Sequence, residues 1–198
     1  IKDFLSYLRV IVNPQDEEAL KRIINYPARG IGKTTVDKII LFANENNISM
    51  WKVLENAAKV GFRAGTLESI ENFVTMIKSF RSMLQKQNAY EVAVHIGKQT
   101  NFVNELFNDK SVEGLARYEN IQELLNSIKE WTVSAASPPK ESFRTNPSEG
   151  GAYYTQSQLD EDGFIEEQFI QPEDSEIPPL GGGGADLGSY LQQITLLT

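Results

Sequence analysis

Hydrophobic residues recur three and four positions apart over most of residues 1–133, which is the spacing that places them on one face of an α-helix. The predicted helices are Lys2–Val12, Asp16–Asn25, Thr34–Asn44, Met50–Lys59, Leu67–Lys86, Ala89–Gly97, Phe102–Phe107 and Glu113–Thr132. The pattern therefore predicts an all-α fold, a multi-helix bundle built from helix-loop-helix units.

Several predicted helices have start or stop signals at their ends. Pro14 ends the first helix, and Asp16, followed by two glutamates, begins the second. Ser49 is placed to cap the helix that starts at Met50. Asn88 with Glu91 three residues later has the spacing of a capping box.

The helical pattern stops at Val133. Residues 134–185 are rich in Pro, Gly, Ser and acidic residues, a composition that favours a flexible linker, although YYTQSQLDEDGFIEEQFI within it is able to fold or to dock on a partner. Helical spacing returns over Leu187–Leu197. We therefore expect a helical subdomain at 1–133, an acidic low-complexity linker at 134–185, and a returning helix at 186–198 that packs on the first helix.

The formal net charge of −8 is unevenly distributed. Residues 1–133 hold 17 Lys and Arg against 16 Asp and Glu, whereas residues 134–198 hold 2 against 11. The acidity belongs to the second part, so the nearly neutral first part is able to carry a local basic patch of the kind that contacts phosphates.

The composition excludes several classes of site and location. The chain has no cysteine, which excludes disulfides, zinc-thiolate sites and cysteine nucleophiles. No apolar run of about 18 residues and no signal-peptide layout occurs, so we expect a cytoplasmic protein without a membrane partner. The chain starts at Ile1 without Met and ends on ITLLT, from which we expect a piece of a longer polypeptide.

The stretch GIGKTT at 30–35 is similar to the end of an ATP-binding phosphate loop, G-x-x-x-x-G-K-[ST]. The first glycine of that pattern would fall at position 27, which is Pro27 and has no N–H to donate. A helical run precedes the loop where an apolar strand is required. We therefore expect no ATP binding through this stretch.

The helix-loop-helix context favours a different function for the two glycines, the binding of an anion. Their backbone lets a ligand approach closely, and the following helix offers unpaired N–H groups at its positive end. The candidate phosphate-contacting residues are Arg29, Gly30, Ile31, Gly32, Lys33, Thr34 and Thr35, with Arg63 from a second loop. Ile31 is expected to point inward, and valine at 32 to strain the turn. A plain glycine turn with Lys33 in solvent remains the alternative.

Other residues with functional chemistry have ordinary structural interpretations. His95 has no catalytic partner pattern near it, and Trp51 and Trp131 fall on apolar helical stripes. Adjacent carboxylates such as Glu17 and Glu18 complement a helix dipole. We predict no catalytic residue and no metal site.

Three stretches carry a family resemblance: IKDFLSYLRVIVNPQDEEALKRIINYPARGIGKTT, RYENIQELLNSIKEW and DLGSYLQQITLLT, in this order. The chain resembles the accessory 2B subdomain of superfamily 1A DNA helicases of the UvrD/Rep/PcrA type. The specific motifs are N-P-x-D at 13–16, P-x-R-G-I-G-x-x-T at 27–35 and R-x-E-N-I-x-E-L at 117–124. The resemblance covers residues 1–133 and 186–198.

The resemblance implies that Gly30, Ile31 and Gly32 form the loop that contacts the backbone of double-stranded DNA without reading sequence. It implies a regulatory subdomain of an ATP-dependent 3'-5' helicase in DNA repair or replication, with repair or replication proteins as possible partners. ATP and Mg would belong to motor domains of the same polypeptide, leaving this chain with no cofactor and no catalysis. The alternative is a helical module that recruits proteins through the acidic tail or the last helix.

Overall fold

The computed structural model describes residues 1–136, 158–159, 165–166 and 186–195. The helices are α1 Lys2–Val12, α2 Glu17–Ile23, α3 Lys33–Asn46, α4 Met50–Glu55, α5 Ala64–Met83, α6 Ala89–Gln99, α7 Phe102–Asn108, α8 Val112–Ala136 and α9 Leu187–Thr195, with a 3₁₀ helix at Ala57–Val60. Strands β1 Gln158–Leu159 and β2 Ile165–Glu166 form one antiparallel pair. Two strands of two residues do not change the class, and the predicted all-α fold is confirmed.

The helix starts use the capping side chains that the sequence predicts. The amide of Ala19 donates to Oδ1 of Asp16 over 3.0 Å, and the amide of Lys52 donates to Oγ of Ser49 over 3.3 Å. Asn88 and Glu91 exchange side-chain to backbone hydrogen bonds in a complete capping box. These bonds satisfy amides that would otherwise have no partner in the first turn.

Some helix boundaries differ from the predicted ones. The helix predicted over Met50–Lys59 breaks at Asn56, whose side-chain amide donates to the carbonyl of Lys52 over 2.9 Å. Asparagine competes with the helix by bonding its own backbone neighbours, which explains the break and the 3₁₀ turn that follows. Helix α8 continues through Ala136, beyond its predicted end at Thr132.

Helix α1 lies in the middle of the hydrophobic core. Its residues Phe4, Tyr7, Leu8 and Ile11 are fully buried, and it packs against α2, α5, α6 and α9. The ring of Phe102 lies 5.5 Å from Phe4. Because α1 packs against α2, the helix that precedes the 24–32 loop, the start of the loop lies against the core.

The last described helix, α9, returns to α1. Leu187 and Leu191 are buried, and a Cβ placed at Gly188 would lie 3.7 Å from Cγ1 of Val12. Among the described residues no helix is both long and apolar enough to cross a membrane. Most of the predicted 134–185 linker lies outside the described residues, so its flexibility and the three-part division of the chain stay predictions.

Candidate nucleic-acid interface

The side chain of Asn25 holds the backbone of the loop that joins α2 to α3. Oδ1 of Asn25 accepts hydrogen bonds from the backbone amides of Arg29 and Ile31, each over 3.0 Å. Ile31 itself is fully buried in the core. The predicted inward orientation of Ile31 is therefore present, and it holds the middle of the loop against the bundle.

The side chain of Arg29 also points into the protein. Its guanidinium donates to the carbonyl of Pro27 over 2.9 Å, to the carbonyl of Ile23 over 3.2 Å, and to the hydroxyl of Tyr7. The same group lies 5.6 Å from the ring centre of Tyr7 and 5.9 Å from that of Phe73. Arg29 thus binds the loop to α1 and α5, and its contact with DNA stays an untested prediction.

Tyr7 completes this internal network. Its hydroxyl donates to the carbonyl of Tyr26 and accepts from Arg29. Burial raises the pKa of Tyr7 to about 12, although the neighbouring guanidinium opposes the shift. The phenol is therefore neutral at ordinary pH, which is the state needed to donate to a carbonyl.

The two glycines of the loop have different environments. Gly30 has φ +78°, and a Cβ placed there would lie 3.3 Å from Oγ of Ser69 in α5. Gly32 has φ −71° and ψ 172°, and a Cβ there would have no neighbour within 4 Å. The expectation that valine at 32 strains the turn is therefore wrong, because only Gly30 has a backbone conformation that side chains disfavour.

Several backbone amides in the loop and at the start of α3 have no acceptor among the described residues. The amides of Gly30, Gly32, Lys33 and Thr34 make no hydrogen bond within the part of the chain that the structure describes. All four residues are exposed, whereas Thr35 is half-buried and its amide bonds the carbonyl of Gly32 over 3.0 Å. These amides lie at the start of a 14-residue helix, whose dipole places partial positive charge there.

A second loop lies beside the first. Nζ of Lys38 in α3 donates to the carbonyl of Gly61 over 3.1 Å and lies 5.0 Å from the ring centre of Phe62. Arg63 follows as the exposed residue before α5, and Gly30 approaches Ser69 of the same helix. The structure therefore places each predicted loop against the helix that follows the other one, through Lys38 of α3 and Ser69 of α5.

The two loops and the adjoining helix ends hold more cations than acids although the whole chain is acidic. Residues 28–38 and 59–66 contain five cations and one acid, which are Arg29, Lys33, Lys38, Lys59, Arg63 and Asp37. With Arg29 turned inward, exposed Lys33 carries one of the unpaired amides, and exposed Arg63 precedes α5, the helix that Gly30 approaches at Ser69. Amides and cations at one place favour an anionic ligand.

Three aromatic or titratable candidates lie away from this surface. Trp51 is buried, and the ring of Trp131 lies 5.5 Å from that of Tyr190 in the contact between α8 and α9. His95 is exposed with its ring 5.8 Å from Phe80. Each has the structural or surface position that the sequence favoured.

Sequence reasoning missed Asn25, Tyr7 and Lys38, which hold the two loops in place. For Asn25 a signal was available, since asparagine at a helix end often bonds nearby backbone amides. Tyr7 and Lys38 gave none, because each acts on a segment 19 or more residues away along the chain.

Residues 1–146 match a family model described as the UvrD-like helicase C-terminal domain. The chain belongs to this UvrD-like family. Among its curated relatives, the ATP-dependent DNA helicase PcrA of Bacillus subtilis is 31% identical over 146 residues, which are 74% of this chain and 20% of that helicase. The protein of the same name from Staphylococcus aureus is 34% identical over 131 residues, which are 66% of this chain and 18% of that helicase. This UvrD-like chain thus spans about a fifth of the length of these relatives.

Proposed function

We propose that this chain is the 2B accessory subdomain of an ATP-dependent 3'-5' DNA helicase. It holds the backbone of duplex DNA ahead of the motor, without reading sequence and without catalysis of its own. The motor domains of the same polypeptide bind ATP and Mg, and movement of the subdomain regulates them during DNA repair or replication. The family membership and the relatives' names support the helicase part of this proposal.

The observation that carries the DNA contact is the set of unpaired amides at four exposed residues, Gly30, Gly32, Lys33 and Thr34. Amide donors at the start of a helix bind phosphate oxygens, and the absence of a side chain at Gly32 leaves room for the phosphate to approach. Lys33 and Arg63 add charge beside the amides. Since none of these groups distinguishes one base from another, the contact positions the duplex and does not select a sequence.

The expected affinity follows from the small number of contacts. One loop and a neighbouring arginine reach only a few phosphates, so the isolated chain should bind duplex DNA in the non-specific range of about 10⁻⁴–10⁻⁶ M and release it as salt increases. Negative charge in the 134–198 part should weaken binding further.

The test is a titration of a fluorescent duplex at several salt concentrations. Lys33→Ala should remove roughly one phosphate contact and reduce the salt slope by about one unit. Lys86→Ala is the matched control, because this exposed lysine lies beyond the other end of the 20-residue α5 from Arg63, about 30 Å along the axis. It should leave both the affinity and the slope nearly unchanged.

Gly32→Val tests the backbone approach separately from charge. The side chain enters open space at an unstrained φ, so the free energy of unfolding should fall by no more than the cost of valine as the N-cap of α3, about 1 kcal/mol, while the branched side chain blocks the phosphate. Binding by the unaltered chain that neither Gly32→Val nor Lys33→Ala weakens would refute this site. Complete absence of duplex binding would favour the protein-recruiting alternative.

A further inference from the structure

Asn25 determines which amides of the loop remain available. It lies two residues after the end of α2 and is half-buried. A side-chain carbonyl oxygen has two lone pairs, and both are used here, one for the amide of Arg29 and one for that of Ile31. The amides of Arg29 and Ile31 therefore share a single acceptor.

The remaining amides alternate with these two and then continue into α3. Gly30 lies between the two residues that Asn25 binds, and Gly32 follows Ile31 directly. Neither glycine amide has an acceptor among the described residues. With the amides at 29 and 31 bound to Asn25, those of exposed Gly30 and Gly32 are left for an acceptor from outside the described residues.

The other anchors of the loop hold different groups. The guanidinium of Arg29 binds carbonyl oxygens and the Tyr7 hydroxyl, while Ile31 contributes apolar packing. Neither interaction fixes the direction of an N–H bond. Asn25 is therefore the side chain that orients the amides of the loop.

We propose that Asn25 is the positioning residue for phosphate binding, which it serves without touching the DNA. By accepting from the amides at 29 and 31, it preorganises Gly30, Gly32 and the start of α3 as donors to a phosphodiester oxygen. The inference rests on the proposed function, since it concerns the same loop. It follows that loss of the Asn25 acceptor weakens binding while every cation of the surface is kept.

The test compares Asn25→Ala with Asn46→Ala, which removes a side-chain to backbone bond at the far end of α3, about 20 Å from the loop. Asn25→Ala should lower duplex affinity about tenfold, the value expected when one or two hydrogen bonds are lost, with an unchanged salt slope. Amide exchange should accelerate at positions 29 and 31 but not at Ile39 in α3. Asn46→Ala should leave affinity and loop exchange unchanged.

Two further substitutions at the same position separate the acceptor from general stability. Asn25→Asp keeps an oxygen in place and should retain slow amide exchange at positions 29 and 31. Asn25→Gln moves the oxygen by one methylene and should weaken binding as the alanine does, which preserves the test if Asn25→Ala does not fold.

Three results would overturn the inference. Duplex binding by Asn25→Ala or Asn25→Gln equal to that of the unaltered chain would leave the proposed function standing and remove the positioning role. Accelerated exchange throughout the core, with an equal loss of affinity in Asn46→Ala, would show that Asn25 acts only on stability. Failure of the unaltered chain to bind duplex DNA would remove the proposed function and the inference together.

Discussion

Alanine substitutions at the two loop glycines should have different effects on stability. Gly30 has φ +78°, a conformation that costs a residue with a side chain about 1–2 kcal/mol, and the new Cβ would lie 3.3 Å from Oγ of Ser69. We therefore expect Gly30→Ala to lower the free energy of unfolding by about 1–2 kcal/mol. Gly32→Ala has an extended backbone and open space, and its loss as the N-cap of α3 is offset by the smaller entropy of the unfolded chain, so it should change the free energy of unfolding by less than about 0.5 kcal/mol.

The conformational and steric parts of the Gly30 effect can be separated. Ser69→Ala removes the oxygen nearest to the new Cβ, together with the exposed bond that this oxygen donates to the carbonyl of Gly65. In the Ser69→Ala background, Gly30→Ala should lower the free energy of unfolding by less than it does in the unaltered chain, because the steric part of its effect is gone. The difference is the interaction energy of a double-mutant cycle. The remaining cost is that of the positive φ.

The free energy of unfolding is measured by urea denaturation, with the helical far-ultraviolet circular dichroism signal as the readout. A change in midpoint without a change in slope reports stability and not a change of the unfolded state. For a chain of 198 residues, 1 kcal/mol corresponds to a shift of about 2–4 °C in Tm. Equal destabilisation by Gly30→Ala and Gly32→Ala would refute the reasoning, and so would a Gly30→Ala chain as stable as the unaltered one.

Two other predictions concern the interior beneath the loop. Ile31→Ala should lower the free energy of unfolding by about 3 kcal/mol in the same urea assay, because it removes a fully buried side chain and leaves a cavity; a loss below about 1 kcal/mol would show that the loop is not held by Ile31. Burial raises the pKa of Tyr7 to about 12, above the value near 10 of an unfolded tyrosine, so stability present below pH 10 should be lost as the pH rises toward 12. Tyr7→Phe should flatten this fall, and an identical pH profile for both chains would contradict it.

Most of the fold could be predicted from the sequence because its signals are local. Apolar spacing of three and four identified the helices of residues 1–133, and Asp16, Ser49 and Asn88 marked helix starts that the structure confirms. The break at Asn56 was missed because a helix-compatible spacing continues through it. Local pattern does not show which of two competing backbone bonds a side chain will choose.

The candidate loop and the inward position of Ile31 were predicted from sequence, but the different positions of its two cationic side chains were not. Arg29 and Lys33 are both cations within four residues, yet one lies against Tyr7 and Phe73 and the other is exposed. That difference depends on α1 and α5, which are distant in sequence. Lys38 contacts the 61–63 loop for the same kind of reason, through a bond that spans 23 positions.

The inward position of Arg29 decides what kind of contact the loop can make. Residues 29–33 contain two cations, and one of them, Arg29, stabilises the fold. Any phosphate bound at the loop therefore relies on backbone amides together with Lys33 and Arg63. These donors act at short range. An acidic tail farther away does not prevent them from binding a phosphate, because charges in about 0.15 M salt are screened beyond roughly 8 Å. The net charge of −9 on residues 134–198 therefore opposes DNA binding only where that part of the chain comes within this distance of the loop.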